Sequence, residues 1–401
     1  MTRAAAVSTA EESILLLSAR RHLTREQRAE LERLLAGPVD WRFVLAMANR
    51  HRILPLLHAS LKREGELDRI PPALLQVLLT AVRESVGQSL ALTVELVRIL
   101  REFEQSGVPA VPCKGPAAAV AAYGDISYRS FGDLDILVPP ECFHLASRAV
   151  NALGYRPAFR LNAKQEKVYL KNECALPFRN EARGHIVELH WRFCERNASV
   201  RLPADTFAQR ATRIALPGMT VASLAPEDLL VYLCVHGAKH RWERLEWIAC
   251  VAELIRSQPQ LDWPAAFERA AQYRVARLLN VGLQLARSLL DAELPSAVQS
   301  ALEDDSAARK LADWVREELF APPGSESHYQ RRAARYLFMM RSRERWSDRA
   351  RIFFYSAIRP PHPSANEWMK LPPRLEFLHR VFRPVRLLGE YSMVAWKHYL
   401  R

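Results

Sequence analysis

The sequence predicts an α+β protein, with a mixed-sheet core flanked by N-terminal and C-terminal helical regions. Three observations predict it. Apolar residues recur at three- and four-residue spacing up to Gln105 and again from Ala225 onward. Between these stretches lie short β-like runs such as Leu134-Asp-Ile-Leu137 and Ile186-Val-Glu-Leu189. The 25 prolines, against 14 glycines, suggest helices punctuated by Pro with few Gly-rich loops.

In the first region, residues 1–106, the patterns at 11–21, 24–35, 40–49 and 53–64 read as helices. Pro71-Pro72 opens a longer one, 73–103, because a first helical turn tolerates Pro; Ser106-Gly107 ends it. The core, residues 107–222, runs β-α-β-α-β-β-β. Strands are expected at 108–112, 133–138, 155–159, 168–178 and 185–193, and helices at 116–123 and 140–153. Residues 179–184 form the turn between the last two strands. A helical domain, residues 223–320, follows with helices at 227–240, 242–255, 263–290 and 297–319. Residues 321–401 begin as a linker and continue as a basic tail of helical pieces broken by prolines, the last at 377–399.

The 401 residues carry a formal charge of +13. From Gln330 to Arg401 there are 16 Lys or Arg against 5 Asp or Glu, so the tail holds +11 of it. Such a tail would attract nucleic acid, anionic lipid or polyphosphate. No RNA-binding signature of aromatics interleaved with glycines accompanies the arginines, so a solvated face with Arg stems packed along it is the plainer expectation. The six cysteines are scattered without a C-x-x-C pair, which argues against a structural zinc site or a dense disulfide framework. The first residues are too acidic for a signal peptide, and no apolar run is long enough for a transmembrane segment. A cytoplasmic location is expected.

The chemistry concentrates in the core. On a strand, Asp133 and Asp135 share one face while Leu134, Ile136 and Val138 point to the other. Adjacent carboxylates in an apolar strand need a cation or a set of donors. A divalent metal that also carries substrate phosphates is the usual remedy, which implies phosphoryl or nucleotidyl transfer. In 185–193, Glu188 and His190 likewise share one face, opposite Val187, Leu189 and Trp191. If the two strands are neighbours, Asp133, Asp135 and Glu188 converge as metal ligands and catalytic acids for two metals. Lys114-Gly115 fits the same picture: Gly115 admits a ligand to the backbone, the next helix points its N–H groups at an anion, and Lys114 neutralises phosphates. In a second cluster His236 and His240 share one helical face, with Lys239, Arg241 and Arg244 nearby, as a nucleotide-facing surface or as packing between two helices.

These motifs resemble the nucleotidyltransferase superfamily, with its polymerase β-like fold. They more closely resemble a bacterial branch of uncharacterised nucleotidyltransferase family proteins. That branch has a Lys-Gly turn, an Arg before Asp-x-Asp, and an acidic-x-His-Trp strand; here these are Lys114-Gly115, Arg129, Asp133-Leu-Asp135 and Glu188-Leu-His-Trp191. The resemblance implies Mg²⁺- or Mn²⁺-dependent transfer of a nucleoside monophosphate from ATP or another NTP, with release of pyrophosphate. It also implies that Arg129 helps bind the nucleotide. Two departures stand out: no serine follows Lys114-Gly115-Pro116, and Cys250 sits where the branch usually has Asp. The acceptor stays open among a small molecule, a protein and RNA. Two rival readings are a catalytically silent nucleotide-binding or regulatory protein, and an RNA-modifying enzyme that uses the basic tail.

Overall fold

The computed structural model describes residues 9–195, 200, 209–321 and 328–358. Its N-terminal helices start where polar side chains satisfy the first free N–H groups. Thr9 and Glu12 form a capping box on α1 (Ala10–Ser18), Thr24 and Gln27 do so on α2 (Arg25–Leu35), and Asp40 caps α3 (Trp41–Arg50). Helix α4 (Leu54–Glu64) ends on Gly65 at φ 78°. The 34-residue α5 (Pro72–Gln105) joins two cores. Leu78 and Val82 pack among the helices, whereas Leu92, Leu96, Ile99 and Phe103 pack under the sheet.

The sheet is built from β1 (Val111–Pro112), β2 (Leu134–Leu137), β3 (Arg156–Pro157), β4 (Ala175–Asn180) and β5 (His185–His190) in the order β1-β2-β5-β4-β3. Only β2 and β5 pair in parallel among these strands. Helices α6 (Gly115–Tyr123), α7 (Phe143–Ala152) and α8 (Ala163–Asn172) connect them. Leu134, Ile136, Val187 and Leu189 are buried in the core beneath the sheet with Phe143, Tyr155 and Trp191, and the Phe143 and Trp191 rings meet edge-on at 4.9 Å. The α+β core with helical flanks is therefore present.

Three expectations are corrected. Residues 168–172 are helical, the end of α8, and the strand begins only at Ala175. Asn162 and Gln165 form a capping box that starts the helix, and the apolar run misled because only Tyr169 of that helix is buried while Val168 is 47% exposed. The patterns at 263–290 and 297–319 each split in two. Arg274 at φ 61° breaks the first, and Asp305 breaks the second by capping the helix that follows it. A hairpin of β6 (Thr212–Leu216) and β7 (Met219–Ser223), turning at Gly218 with φ 84°, was not expected.

Beyond it run α9 (Pro226–Lys239), α10 (Leu245–Ser257), α11 (Trp263–Gln272), α12 (Ala276–Leu290), α13 (Ser296–Asp304), α14 (Ser306–Leu319), α15 (His328–Arg341) and α16 (Trp346–Ile358). Helices α9 to α15 share one apolar core with α1 to α4. Most of the expected linker and the tail from 359, with its helix at 377–399, lie outside the described residues. No helix among the described residues is long and apolar enough to cross a membrane.

Candidate active site

Parallel pairing of β2 and β5 sets Asp135 directly opposite Glu188. Since alternate residues share a face, His190 joins them two positions further along β5. Ligand atoms of Asp135, Glu188 and His190 all lie within 4.8 Å of one another. His190 Nε2 is 2.9 Å from Asp135 Oδ1 and 3.2 Å from Glu188 Oε2. From the turn before α6, Lys114 Nζ reaches the same Asp135 oxygen at 2.7 Å. Gly115 at φ 57° makes that turn possible. A Cβ there would meet nothing nearer than 3.7 Å, so backbone conformation rather than space requires glycine.

Charge explains how so many ionisable groups coexist. Burial alone would raise the Asp135 carboxyl, but Lys114 and His190 hold it well below the usual range. His190, although buried, is held well above the usual imidazole range by the two carboxylates and Cys174. Its hydrogen bond lowers Glu188 in turn. Asp133 goes the other way: burial, then the Asp135 charge, pushes it up. The two carboxylates at this spacing fit a divalent ion that leaves positions open for phosphate oxygens, and His190 could join them as a ligand once it gives up its proton.

Asp133, Asp135 and Glu188 all line one cavity of about 560 Å³, and so do Lys114, Gly115, Arg129, His236, Lys239 and His240. Each of these candidate residues thus borders one cavity, but of the three expected metal ligands only Asp135 and Glu188 belong to the close ligand cluster, with His190 in place of Asp133. The family of uncharacterised nucleotidyltransferases matches residues 37–291, from α3 through α12, which includes the whole sheet. The chain belongs to this family. Neither the curated proteins nor the solved structures yield a match.

In this nucleotidyltransferase-family protein the helical region closes the cavity. Gly237 lies so close to Trp242 that a Cβ would sit 2.4 Å from its ring, which lets the chain fold back after α9. The turn carries His236 and His240 to the cavity, their rings 4.8 Å apart and 5.5 and 5.1 Å from Trp247 of α10. Burial first, and then neighbouring lysines, depresses both imidazoles, His240 to about 3. They are neutral rings at pH 7 and pack against α10 while facing the cavity. Lys239 pairs with Glu195 at 2.8 Å.

Arg129 is buried, and its Nε lies 3.1 Å from Glu246 of α10. Its Nη1 donates to the Gly115 carbonyl at 3.4 Å. The guanidinium therefore ties the Lys-Gly turn to the helical region. Sequence reasoning gave Glu246 and Trp247 no site role of their own, and placed His190 beside Glu188 without giving it one. The Glu188-x-His190 alternation was the available signal for the last of these.

His51 supports this wall from the N-terminal side. The Leu245 N–H donates to His51 Nδ1 at 3.1 Å, and the Glu246 N–H donates to the His51 carbonyl at 3.2 Å. Burial, then Arg50, lowers the His51 imidazole from 6.5 to about 4. A neutral ring is thus part of the fold. Its stabilising contribution is complete above pH 6.5 and shrinks as pH falls toward 4. Denaturant unfolding should show stability falling across that window, with a shallower slope for His51→Gln. Identical slopes would remove His51 from the cause.

Proposed function

We propose that this protein transfers a nucleoside monophosphate from an NTP to an acceptor hydroxyl, with release of pyrophosphate. The observation that carries the reading is the pairing of Asp135 with Glu188 across parallel strands, with Asp133 in the same cavity. Carboxylates on neighbouring strands of a mixed sheet also support the polymerase β-like assignment. Asp133, Asp135 and Glu188 would hold Mg²⁺ or Mn²⁺, with His190 within reach. The ion supplies neutralisation of phosphate charge and activation of the attacking hydroxyl.

The chain's own groups do the remaining work. His190 bonds both Asp135 and Glu188, which fixes their orientation. Burial works against the Lys114 ammonium, yet Asp135 holds it above the usual Lys range, so it meets incoming phosphates charged. The N–H groups at the start of α6 add donors for a phosphate oxygen. His236, His240 and Trp247 offer flat, uncharged ring surface against which a nucleobase stacks. Arg129 acts on the nucleotide through the backbone of Gly115.

Incubation with α-labelled NTPs, Mg²⁺ or Mn²⁺, and tRNA, sugars or total lysate tests the proposal. Metal-dependent NTP binding and label transfer are expected from the wild type and lost in Asp133→Ala plus Asp135→Ala. Equal NTP binding by the double variant, or none that depends on metal in the wild type, would contradict it.

A further inference from the structure

Six Lys and Arg side chains line the cavity: Arg52, Lys114, Arg129, Lys239, Arg244 and Arg335. Four of them face a carboxylate. Lys114 lies 2.7 Å from Asp135, Arg129 3.1 Å from Glu246, Lys239 2.8 Å from Glu195 and Arg335 3.4 Å from Glu243. Among the described residues, Arg52 and Arg244 have no carboxylate within ion-pair reach. Glu246 acts on both guanidiniums, and Glu243 and Asp133 on Arg244, but from beyond ion-pair distance, while the two cations repel each other. A phosphate entering the cavity would supply the close anionic contact that the two lack.

Both are held where they are. Arg52 adopts φ 55°, a left-handed conformation that costs a residue with a Cβ and that clusters at functional sites. The turn is fixed because His51, immediately before it, receives the first two N–H groups of α10. Arg244 is the N-cap residue of that same helix, and its guanidinium lies 5.3 Å over the Trp247 ring. The two arginines therefore flank one docking contact between the N-terminal region and α10. Burial, then the Arg52 charge, presses Arg244 below the usual Arg range, as two cations facing a shared space would.

We propose that Arg52 and Arg244 form a phosphate-binding subsite of the cavity, supplied by the helical regions and not by the sheet. Guanidinium forks match phosphate oxygens two at a time, which a lysine does not. Only the owner of the phosphate rests on the proposed nucleotidyl transfer: it belongs to the NTP or to a phosphorylated acceptor. The subsite itself requires no turnover.

Inorganic pyrophosphate is the probe, titrated calorimetrically in EDTA so that no metal takes part. Arg52→Gly suits the left-handed backbone, Arg52→Gln keeps the side chain's length, and Arg244→Gln removes the second charge; thermal melting confirms folding. Each single variant should bind pyrophosphate about tenfold more weakly, since a charge-assisted contact is lost, and the double variant more weakly still. The salt dependence of binding should flatten in step. Wild-type affinity in the double variant, or no binding by the wild type at millimolar pyrophosphate, overturns the proposal. NTP and the matching nucleoside then assign the owner. NTP affinity falling in parallel gives the subsite to the NTP, and unchanged NTP affinity gives it to a phosphorylated acceptor. Failure here leaves the transfer reaction standing, and inactive Asp135 variants leave the subsite standing.

Discussion

Asp135→Asn is expected to lower nucleotidyl transfer by about 10³-fold, the loss of roughly 4 kcal/mol of charge stabilisation in the transition state. Asparagine keeps the shape and still accepts a hydrogen bond from Lys114 or His190. It carries no charge, so the centre of the acidic cluster is gone. Stability should change far less than rate. Lys114 loses its 2.7 Å partner, yet Asp133 and Glu188 continue to attract it. Asp133 and Glu188 are also relieved of Asp135's repulsion. Label transfer measured beside a thermal melt separates the two effects. A variant that transfers normally would remove Asp135 from the reaction, and one that merely unfolds would assign it to the scaffold.

Glu246→Ala is expected to have the largest effect on stability, a loss of about 3–5 kcal/mol, because it strands a buried guanidinium. The side chains of Arg129 and Glu246 are 6% and 3% exposed, so water does not replace the missing partner. Burial already pushes the Glu246 carboxyl above its usual range despite Arg129, so the pair offsets a desolvation cost and adds little beyond that. The double variant Arg129→Met plus Glu246→Leu should therefore recover most of the loss. Denaturant unfolding of the three variants gives the answer. A double variant no better than Glu246→Ala would show that the pair does more than compensate burial.

What was legible in the sequence was contradiction. Asp133, Asp135 and Glu188 alternate with Leu134, Ile136, Val187 and Leu189, and only a site excuses carboxylates among such residues. Lys114-Gly115 was legible through its position one helix before the aspartates. The docking of the helical region was not. His51, Arg52, Glu246 and Trp247 belong to turns and helix starts that read as ordinary amphipathic sequence. They meet only because residues 51 and 245 touch across nearly two hundred residues of chain. Helix α8 was hidden for a local reason: its apolar residues crowd around Tyr169 next to a true strand, so periodicity was outvoted by β propensity. Hairpin β6–β7 alternates correctly around Pro217-Gly218, but Thr212, Arg213 and Ala215 leave β6 largely exposed and weakly patterned.

The most direct test is anomalous diffraction from crystals grown with Mn²⁺ and a non-hydrolysable NTP. Predicted is a manganese peak bonded to Asp135 and Glu188, with the triphosphate on that ion and reaching Lys114. An NTP bound with no manganese at these carboxylates, or manganese held elsewhere while the cavity stays empty, would contradict the proposed site.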